Sequence, residues 1–596
     1  MKDTTNKIIM LFSKREKYKL LLLFFLMIFA ALFETVGIGL IVPFVGIVTD
    51  PTIIENQTSL QYIYNLLNFN SHKGFVTFSV VILLAVFILK NLYILFFQYA
   101  QGRVIYNQQV KLSQRLFKKY LTKPYSFHLQ RNTATLLRNV SREVPKVFNG
   151  IIMAGFHLLT EILIIIFIVL LLIVTEPFLT LIVASVLGGS LFLFLRIFRK
   201  RVKELGAEQT EFNSDLIKWV NQGLGASKEV KVSGKEDFFV DAYTKPNVLL
   251  AKNGIYMRML DLAPRLFIET IVVSIVLITM LIIIFQNVNT SNLVSTMALF
   301  AMAAFRLMPS ISRVIGLINS IRYNQPALSA VYEDLFMDNE LCENSEPNLN
   351  STFKQEESNL PKRMFKEEIR LKNVSFRYPN QKNLVVKDIS LTIPIGQSVA
   401  FIGESGAGKT TIVDIILGLF RPEEGSVTVD GKDLFEQIPL WQKKIGYIPQ
   451  TIYLSDDTIR GNVAFGINKK EIDDAVVWKA LEQAQLKEYV ESLPDKLETT
   501  VGERGVRISG GQRQRIGIAR ALYHNPEILF MDEATSALDN GTEQEIMKAI
   551  NGLKGEKTLI IIAHRLSTIQ NCDVVFKINN GRLMSKSKKN LEQSVM

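Results

Sequence analysis

One stretch of the sequence decides the fold: Gly403-Glu404-Ser405-Gly406-Ala407-Gly408-Lys409-Thr410. An apolar segment with strand character, 398–402, precedes it, and an apolar helical run, 412–420, follows it. This order of strand, glycine-rich loop and helix is the context in which G-x-x-x-x-G-K-[ST] cradles nucleotide phosphates. Successive backbone N–H groups face one concavity, and the helix N-terminus adds partial positive charge. The pattern predicts that Lys409 reaches the β- and γ-phosphates and that the Thr410 hydroxyl binds Mg²⁺.

The chain is too long for a single hydrophobic core. It has 596 residues, of which 48% are hydrophobic, so two or more domains are expected. The apolar excess lies in the first part of the chain, and the remainder has the composition of a soluble α/β domain. The net charge of +12 comes largely from Lys and Arg between apolar spans, so we expect a membrane-proximal role for them and no nucleic-acid partner. The two cysteines, Cys342 and Cys572, provide neither a disulfide framework nor metal-ligand spacing.

Six apolar segments are long enough to cross a bilayer, which needs about 20 residues. They are 20–48, 75–99, 151–174, 178–198, 266–285 and 293–318. The N-terminal residues and the segments 103–145 and 199–262 are rich in Lys and Arg, whereas 49–73 carries only Lys73. Because positively charged loops stay on the cytoplasmic side, the sequence predicts a multi-pass protein of the cytoplasmic (inner) membrane with both termini in the cytoplasm.

Three segments between the spans carry further predictions. Each long cytoplasmic segment has a turn-like break, at 123–125 and at 223–225. We interpret these breaks as short transverse helices that could dock on the nucleotide-binding domain, and solvated hairpins are the alternative. On the outer side, the segment 51–72 indicates a short amphipathic helix at the membrane surface, or a structured loop. Its apolar positions at helical spacing are Leu60, Ile63, Tyr64 and Leu67.

Ionisable residues within spans are costly in a bilayer and usually functional. Lys90 lies in the middle of the second span, Arg265 begins the fifth, and Arg306 lies within the sixth. Three cations that converge on a cavity would suit an anionic head group. The alternative is internal pairing with glutamates of the spans, or snorkelling of Lys90 and Arg265 to the interface. The embedded glutamates are Glu34, Glu161 and Glu269.

Acidic and polar residues follow two later strands. The apolar strand 528–531 ends in Asp532-Glu533, a Walker B arrangement. Asp532 is expected to bind Mg²⁺, directly or through water, and Glu533 to orient or polarise the attacking water. Phosphoryl transfer to water needs mainly positioning and charge neutralisation, which these groups supply. A second strand, 558–562, ends near His564, a polar residue at the strand end where the γ-phosphate would lie.

Tyr378 and Gln450 are further candidate site residues because of where they lie in the sequence relative to the glycine loop and the later motifs. Tyr378 directly follows an alternating strand, 369–376, where an aromatic ring could stack on adenine, although a tyrosine there usually only packs. Gln450 follows Ile448-Pro449, between the glycine loop (403–410) and the later motif Ser509-Gly510-Gly511-Gln512.

In this order the motifs resemble the nucleotide-binding domain of an ATP-binding-cassette (ABC) transporter, over about 369–583. The signature Ser509-Gly510-Gly511-Gln512 is the most specific part, and Ile508 replaces the usual Leu before it. The resemblance implies catalytic roles for Glu533, His564 and Gln450, and Mg²⁺ contacts from Thr410, Gln450 and Asp532. The residues it assigns to ATP are Tyr378, Gly403, Glu404, Ser405, Gly406, Ala407, Gly408, Lys409, Thr410, Thr411, Ser509, Gly510, Gly511, Gln512 and Asp539.

With six spans before one such domain, the whole chain resembles an exporter half-transporter. The resemblance implies an all-α six-helix transmembrane domain (1–332), a linker (333–367) and an α/β P-loop nucleotide-binding domain (368–596). In that family two domains pair head to tail and hold ATP between the glycine loop of one chain and Ser509 and Gly511 of the other. The resemblance therefore implies a homodimer, ATP and Mg²⁺ as cofactors, and ATP hydrolysis coupled to transport.

Shorter motifs extend the resemblance to the PglK-type flippases of lipid-linked oligosaccharides. They are 263–265, 305–310, the outer segment and 403–406. In that type, basic residues facing the cavity are thought to receive the pyrophosphate, and the matching positions are Lys90, Arg265 and Arg306. The resemblance implies ATP-driven flipping of a polyprenyl-pyrophosphate glycan. A multidrug or lipid A-type exporter is the alternative, and a non-transporting, ATP-gated membrane protein is a second one.

Overall fold

The computed structural model describes residues 2–40, 44, 47–48, 58–67, 69, 71–175, 177–285, 290–337, 364–533, 540–563, 565 and 569–588. The chain divides into two compact units. The first comprises Met1–Lys123 and Arg131–Asn344, and the second comprises Pro124–Gln130 and Ser345–Met596. Most of the predicted linker lies outside the described residues, so the domain boundaries at 332 and 368 stay predictions.

Among its described residues, the first unit consists of helices joined by short turns and has no strand. Its long helices exceed what a bilayer requires, since the longest has 51 residues and a rise of about 1.5 Å per residue makes it roughly 75 Å long. The helices that the structure describes up to residue 332 are α1 (Lys2–Leu11), α2 (Lys14–Gly39), α3 (Thr58–Leu66), α4 (His72–Thr122), α5 (Tyr125–Gln130), α6 (Thr133–Val174), α7 (Pro177–Gly225), α8 (Ser227–Ser233), α9 (Glu236–Phe285), α10 (Thr290–Tyr323) and α11 (Gln325–Tyr332). Of these, α5 groups with the second unit.

Each predicted span falls on one of the long helices. Among the described residues, three helical segments are long and apolar enough to cross a membrane, namely Lys14–Gly37, His72–Thr122 and Thr133–Val174. The other predicted spans lie within α7, α9 and α10. The end of the first predicted span, beyond Leu40, lies mostly outside the described residues. Pro264 and Pro309 do not end their helices, because α9 and α10 continue through them.

Apolar packing between α6 and α10 forms a buried seam in the first unit. Ile164, Ile168 and Leu172 of α6 meet residues of α10, and all are less than 7% exposed. The α10 members of this cluster are Leu307, Ile311 and Ile315. Many large apolar side chains of these helices remain exposed, as expected for helices long and apolar enough to cross a bilayer.

A buried polar network ties α4 and α6 to residues 333–337 that follow α11. The Tyr120 hydroxyl donates to Asp334, and the Asn139 side-chain amide donates to the same carboxylate at 2.6 Å. Glu143 is fully buried and lies 3.0 Å from the Lys146 ammonium. The backbone around these residues is π-helical at Asn139–Glu143 and again at Val147–Met153. Such turns add a residue to the helix and re-aim its side chains.

The outer helix α3 lies within the predicted amphipathic segment 51–72. Its Leu60 and Tyr64 pack against Ile47 and Phe75, so part of its apolar face is covered by the protein rather than by lipid. Leu67, just past the helix, stays exposed. The nine-residue helix favours the helical interpretation over a loop.

Short helices occur at both predicted breaks. Helix α5 follows Pro124 and belongs to the second unit, where the Tyr125 ring lies 5.7 Å from the Phe420 ring. Helix α8 follows α7 and ends at Gly234, whose φ of 60° is left-handed and suits glycine. Both segments are helices rather than open hairpins.

The second unit contains two sheets with buried parallel strands at its centre. Strands β1 (Glu368–Phe376), β2 (Val386–Pro394), β4 (Glu424–Val429) and β5 (Lys432–Asp433) form an antiparallel sheet ordered β2-β1-β4-β5. The larger sheet is ordered β10-β9-β3-β8-β7-β6. Its strands are β3 (Ser398–Ile402), β6 (Ile445–Ile448), β7 (Ile528–Asp532), β8 (Thr558–Ile562), β9 (Val574–Asn579) and β10 (Arg582–Lys588).

Helices cover the faces of the larger sheet. Strands β7 and β8 are buried along their full length, which fits parallel strands covered on both faces. The helices of this unit's described residues from 409 onward are α12 (Lys409–Ile416), α13 (Ile438–Lys444), α14 (Ile459–Val463), α15 (Asp474–Gln483), α16 (Lys487–Ser492), α17 (Gly510–Leu522) and α18 (Asn540–Asn551). The carboxyl ends of β3, β7 and β8 meet at one edge, which is where ligands bind in open α/β sheets.

Candidate active site

The glycine loop joins β3 to α12 through backbone conformations that favour glycine. Gly403 has a φ of 149°, and a Cβ there would lie 2.1 Å from the Ile578 carbonyl oxygen. Gly408 has a φ of 98° and stands at the N-cap of α12. The loop therefore depends on glycine for close backbone approach, and α12 directs its N-terminus toward the loop.

Lys409 is folded back over its own loop. Its ammonium donates to the carbonyl oxygens of Gly403 at 3.0 Å and Glu404 at 2.9 Å, and the residue is only 5% exposed. Burial lowers the pKa of Lys409, while the nearby carboxylates of Glu533 and Asp532 oppose this shift. These carbonyl oxygens are neutral acceptors. When a nucleotide binds, the Lys409 ammonium can exchange these hydrogen bonds for stronger ones to phosphate oxygens.

Asp532 and Glu533 occupy the carboxyl end of β7 beside β8. Asp532 is 7% exposed and pairs in register with Ile562 of β8. Glu533 turns the chain with a φ of 45°, a left-handed conformation that is uncommon outside glycine. The Gln450 side-chain amide donates to the Glu533 carboxylate at 2.9 Å. Gln450 reaches this point because β6, which precedes it, pairs with β7.

The oxygen donors at this edge fit a magnesium ion held jointly with phosphates. Thr410, Gln450 and Asp532 offer a hydroxyl, an amide carbonyl and a carboxylate, the hard donors that Mg²⁺ prefers. Among the described residues, no three His, Cys, Asp or Glu side chains cluster as a metal site. A single buried carboxylate with neutral donors is typical of sites in which Mg²⁺ keeps its waters and binds substrate phosphates.

Tyr378 is anchored beside the glycine loop by its hydroxyl and its ring. The hydroxyl is 2.9 Å from the Thr411 hydroxyl on α12. The ring meets Phe376 and Phe420 edge-on, at 5.4 Å from each. The structure thus places both predicted residues, Tyr378 and Thr411, together at this end of the site.

Three residues near the site escaped the sequence prediction. Asp414 lies one turn beyond Thr410 on α12, and its pKa is raised to about 7 by burial and then by the charge of Asp532. Phe420 stacks on Phe376 at 5.0 Å, and burial raises the pKa of Tyr447. Asp414 could have been found from the sequence, because it lies four residues after Thr410 and so on the same face of the predicted helix. Phe420 and Tyr447 belong to no sequence motif that would have indicated them.

The signature residues cap the N-terminus of helix α17. Ser509 accepts a hydrogen bond from the Gln512 backbone N–H at 3.2 Å, and the Gln512 side chain accepts one from the Ser509 N–H at 2.9 Å. This capping box starts α17, and Ser509 and Gly510 remain exposed at its N-terminus. Its exposed N–H groups are available to an anion. Of the other predicted site residues, His564 and Asp539 lie outside the described residues.

Comparisons with known proteins agree with this geometry. The family model described as ABC transporter matches residues 386–536, and the one described as ABC transporter transmembrane region matches residues 20–308. An ATP-dependent lipid A-core flippase of Cupriavidus metallidurans is 31% identical over 482 residues, which cover 80% of this chain and 78% of that protein. The chain belongs to the ABC transporter family.

Two further comparisons describe the extent of the likeness. The heterocyst differentiation ATP-binding protein HepA of Nostoc is 28% identical over 94% of this chain and 89% of that protein. A solved structure, a bacterial Atm1-family ABC exporter with ATP bound, has a TM-score of 0.74 at 20% identity and covers 96% of this chain and 95% of that one. This ABC transporter therefore has the exporter fold predicted from its sequence, and its ATPase domain hydrolyses ATP to drive transport.

The three predicted substrate cations of this ABC transporter have different surroundings. The Lys90 ammonium lies 3.6 Å from Glu34 and 4.7 Å above the Phe87 ring, and the ion pair is largely buried. Arg265 is exposed on α9, and it has no ion pair among the described residues. Arg306 lies on α10, and its side chain is outside the described set. Lys90 thus follows the internal-pairing alternative in this conformation.

A fourth cation of the spans was missed by the sequence analysis. Arg313 of α10 pairs with Glu161 of α6, at 2.6 Å between the guanidinium Nε and a carboxylate oxygen. Internal pairing of the embedded glutamates was the alternative in the sequence analysis, and Arg313 was not among the cations considered there. Because Arg313 is 152 residues away in sequence, only the packing of α6 on α10 reveals this partner.

Proposed function

We propose that this ABC transporter is a homodimer of the cytoplasmic membrane that uses ATP to flip a phosphorylated glycolipid of the lipid A-core type. One observation carries the proposal: a relative that is 31% identical over 80% of the chain is named a lipid A-core flippase, and others at 30% share that name. These relatives favour the lipid A-type alternative over the predicted lipid-linked oligosaccharide flippase.

The pairing of span cations points the same way. The oligosaccharide interpretation used Lys90, Arg265 and Arg306 as a set of cations for pyrophosphate, and in this structure the Lys90 ammonium lies 3.6 Å from the Glu34 carboxylate. Lys90, Arg265 and Arg306 stay proposed contacts to the head group. A lipid whose large sugar head group carries separate phosphates would also bind such cations. It would not require all three of them to contact one pyrophosphate.

The ATP cycle follows from the residues at the strand ends. Lys409 and the glycine loop of one chain would hold ATP against Ser509 and Gly511 of its partner, which requires a head-to-tail dimer. Glu533, held by Gln450, orients the attacking water, and His564 is proposed to contact the γ-phosphate. Mg²⁺ held by Thr410, Gln450 and Asp532 would neutralise developing phosphate charge.

ATP drives the cycle only by favouring one conformation of the dimer. ATP must bind the closed dimer more tightly than the open one, because a ligand with equal affinity for both would not shift the equilibrium between them. Both termini are proposed to lie in the cytoplasm, as the charge of the loops indicates.

Reconstituted vesicles provide the test. Purified protein is placed in vesicles whose outward-facing leaflet carries labelled lipid A-core, and ATP-dependent loss of the label's accessibility is followed. We expect loss with wild type and ATP, and none with the Glu533→Gln variant. The same assay with a polyprenyl-pyrophosphate oligosaccharide compares the two candidate cargoes. Movement of the oligosaccharide alone would reverse our choice, and ATPase activity without movement of either lipid would refute the cargo class.

A further inference from the structure

The segment that carries Gln450 has irregular backbone. Residues 449–457 follow β6 and belong to neither a helix nor a strand, and we call them the Gln450 loop. Within this loop the Gln450 side-chain amide donates to the Glu533 carboxylate at 2.9 Å. Because irregular backbone is held mainly by what packs on it, the position of Gln450 depends on the contacts of its loop.

The Gln450 loop packs tightly against the helix that the signature begins. A Cβ on Gly517 of α17 would lie 2.2 Å from Ile452 Cδ1, and one on Gly505 would lie 2.9 Å from Leu454 Cδ1. Ile452 and Leu454 are both buried. The loop therefore contacts the chain on both sides of Ser509, at glycines that leave no room for a side chain.

Arg520, near the end of α17, adds directional contacts to this packing. Its Nη1 donates to the Tyr453 carbonyl oxygen at 2.7 Å. Its Nε donates to the Asn462 carbonyl oxygen at 2.8 Å, and its Nη2 donates to the Asn462 side-chain oxygen at 3.0 Å. The guanidinium also lies 4.6 Å from the centre of the Phe465 ring. All three of its nitrogens donate, so the planar group has one orientation relative to the loop.

Asn462 extends the same network to the end of the Gln450 loop. Its side chain is fully buried. The side-chain oxygen accepts from the Ser455 N–H at 3.0 Å and from the Ser455 hydroxyl at 3.1 Å, and the side-chain amide donates to the carbonyl oxygens of Ser455 and Thr458. Buried polar networks whose members are paired are rigid, so Arg520 and Asn462 together fix the loop to α17.

The chemistry of Arg520 favours positioning over simple packing. Burial lowers its pKa, and its three hydrogen bonds go to neutral oxygens. A partly buried cation with neutral acceptors costs more free energy than an apolar side chain of similar size would. The guanidinium supplies what an apolar side chain lacks, namely several donors in a fixed geometry.

We propose that Arg520 is a positioning residue for ATP hydrolysis, which fixes the Gln450 loop to α17 so that Gln450 stays at Glu533 when Ser509 meets the nucleotide of the partner chain. About 16 Å of helix separates Arg520 from Ser509, so Arg520 acts through the loop. The inference deepens the proposed ATP cycle and rests on the role proposed there for Gln450.

A double-mutant cycle on ATP hydrolysis tests the assignment. The ATPase kcat and the KM for ATP are measured for the full-length protein in lipid nanodiscs, as wild type, Arg520→Met, Gln450→Ala and the double variant. We expect Arg520→Met to lower kcat about tenfold and to change KM less than about twofold. The double variant should be no slower than Gln450→Ala alone, because a residue that acts through Gln450 has no further effect once Gln450 is gone.

Two further variants make the cycle interpretable. Arg370→Met removes an arginine of β1 whose side chain is 58% exposed and pairs with Glu368, and it should leave kcat and KM unchanged. Arg520→Lys keeps the charge but not the planar fork, so it should recover only part of kcat. If Arg520→Met does not fold, Arg520→Lys takes its place in the cycle.

The outcomes separate this inference from the proposed ATP cycle. Unchanged kcat in Arg520→Met, or a raised KM with unchanged kcat, overturns the positioning role. The same holds if Arg520→Met slows Gln450→Ala by the factor by which it slows wild type, since the effect is then structural and independent of Gln450. Normal turnover of Gln450→Ala itself would refute the proposed role of Gln450, and the inference with it. None of these outcomes depends on which lipid is transported.

Discussion

At the scale of single residues, Glu533 and Gln450 form the most informative contact of the nucleotide site. The left-handed backbone of Glu533, with its φ of 45°, directs the side chain toward Gln450 instead of along the strand. Uncommon backbone conformations outside glycine persist where the surrounding structure enforces them. Here the fully buried strand β7, which pairs with β8 up to Asp532, holds the backbone that leads into Glu533.

Replacement of Glu533 by Gln should separate ATP binding from hydrolysis. The variant keeps the shape and the contact with Gln450 but loses the carboxylate that polarises water, so turnover should fall by about two orders of magnitude. Nucleotide binding and ATPase rates of the reconstituted protein measure the two effects. Glu488→Gln, an exposed change in the same unit, is the control. Near-normal turnover would remove Glu533 from the catalytic role.

Asp414 should make the nucleotide-binding unit less stable as the pH rises. Its pKa moves from 3.8 to about 7, so the folded state binds this proton more tightly than the unfolded state does. Stability is therefore highest below the unfolded value and falls as the pH rises toward the folded one, by about 1.4 kcal/mol per unit. Asp414→Asn should remove this loss.

Thermal unfolding of the full chain without nucleotide or Mg²⁺ measures the effect. The stabilisation by Asp414→Asn should grow between about pH 4 and pH 7 and stay level above that. Asp456→Asn, at an exposed position of the same unit, is the matched control. A stabilisation that does not vary with pH would contradict the assignment of this pKa to Asp414.

At the scale of elements, the π-helical turns of α6 place polar groups where a regular helix would not. Asn139 and Glu143 lie in the first of these turns, and both are buried. Asn139 shares the Asp334 carboxylate with Tyr120 of α4, which joins α6 and α4 to the first residues of the predicted linker. A buried network of this kind depends on every member being paired.

Loss of the Tyr120 hydroxyl should destabilise the first unit. Tyr120→Phe leaves a buried carboxylate with one donor fewer, at a cost of about 1–3 kcal/mol. The unfolding midpoint in detergent should fall. Tyr106→Phe, on the same helix at a position that is 52% exposed, should leave it unchanged. Equal midpoints for both variants would show that the network contributes nothing to stability.

At the scale of the whole molecule, the motifs imply that one chain does not complete an ATP site. The glycine loop ends β3, whereas the signature caps α17 with an exposed N-terminus. Exposed N–H groups at a helix N-terminus suit a phosphate brought by another surface. In the proposed homodimer, that surface is the glycine loop of the partner.

Complementation between two inactive chains tests the head-to-tail dimer. Lys409→Ala disables the glycine loop and Ser509→Arg disables the signature, so neither variant alone should hydrolyse ATP. Co-expressed with different tags and purified through both, the mixed dimer contains one intact pair of motifs and should recover activity. Co-purified Lys409→Ala with Lys409→Ala is the control. No recovery in the mixed dimer would refute the shared site.

Local chemistry explains which features of this protein follow from the sequence alone. The glycine loop, the acidic pair Asp532-Glu533 and the signature are short contiguous patterns whose chemistry depends on neighbours in sequence, so their type and order could be predicted. Apolar length likewise predicted the long helices, since a bilayer imposes its thickness on each segment separately. The short helices α5 and α8 followed from turn-forming residues.

Ion pairs and hydrogen bonds between residues far apart in sequence depend on how the helices pack, so only the tertiary structure reveals them. Arg313 meets Glu161, Lys90 meets Glu34, and Tyr120 meets Asp334, because helices far apart in sequence lie side by side. The hydrophobic periodicity of a sequence does not predict which charged residue of one helix faces which charged residue of another. Chain motifs therefore established that this protein binds and hydrolyses ATP, while tertiary structure determined which buried charges are neutralised and left the guanidinium of Arg313 partly exposed.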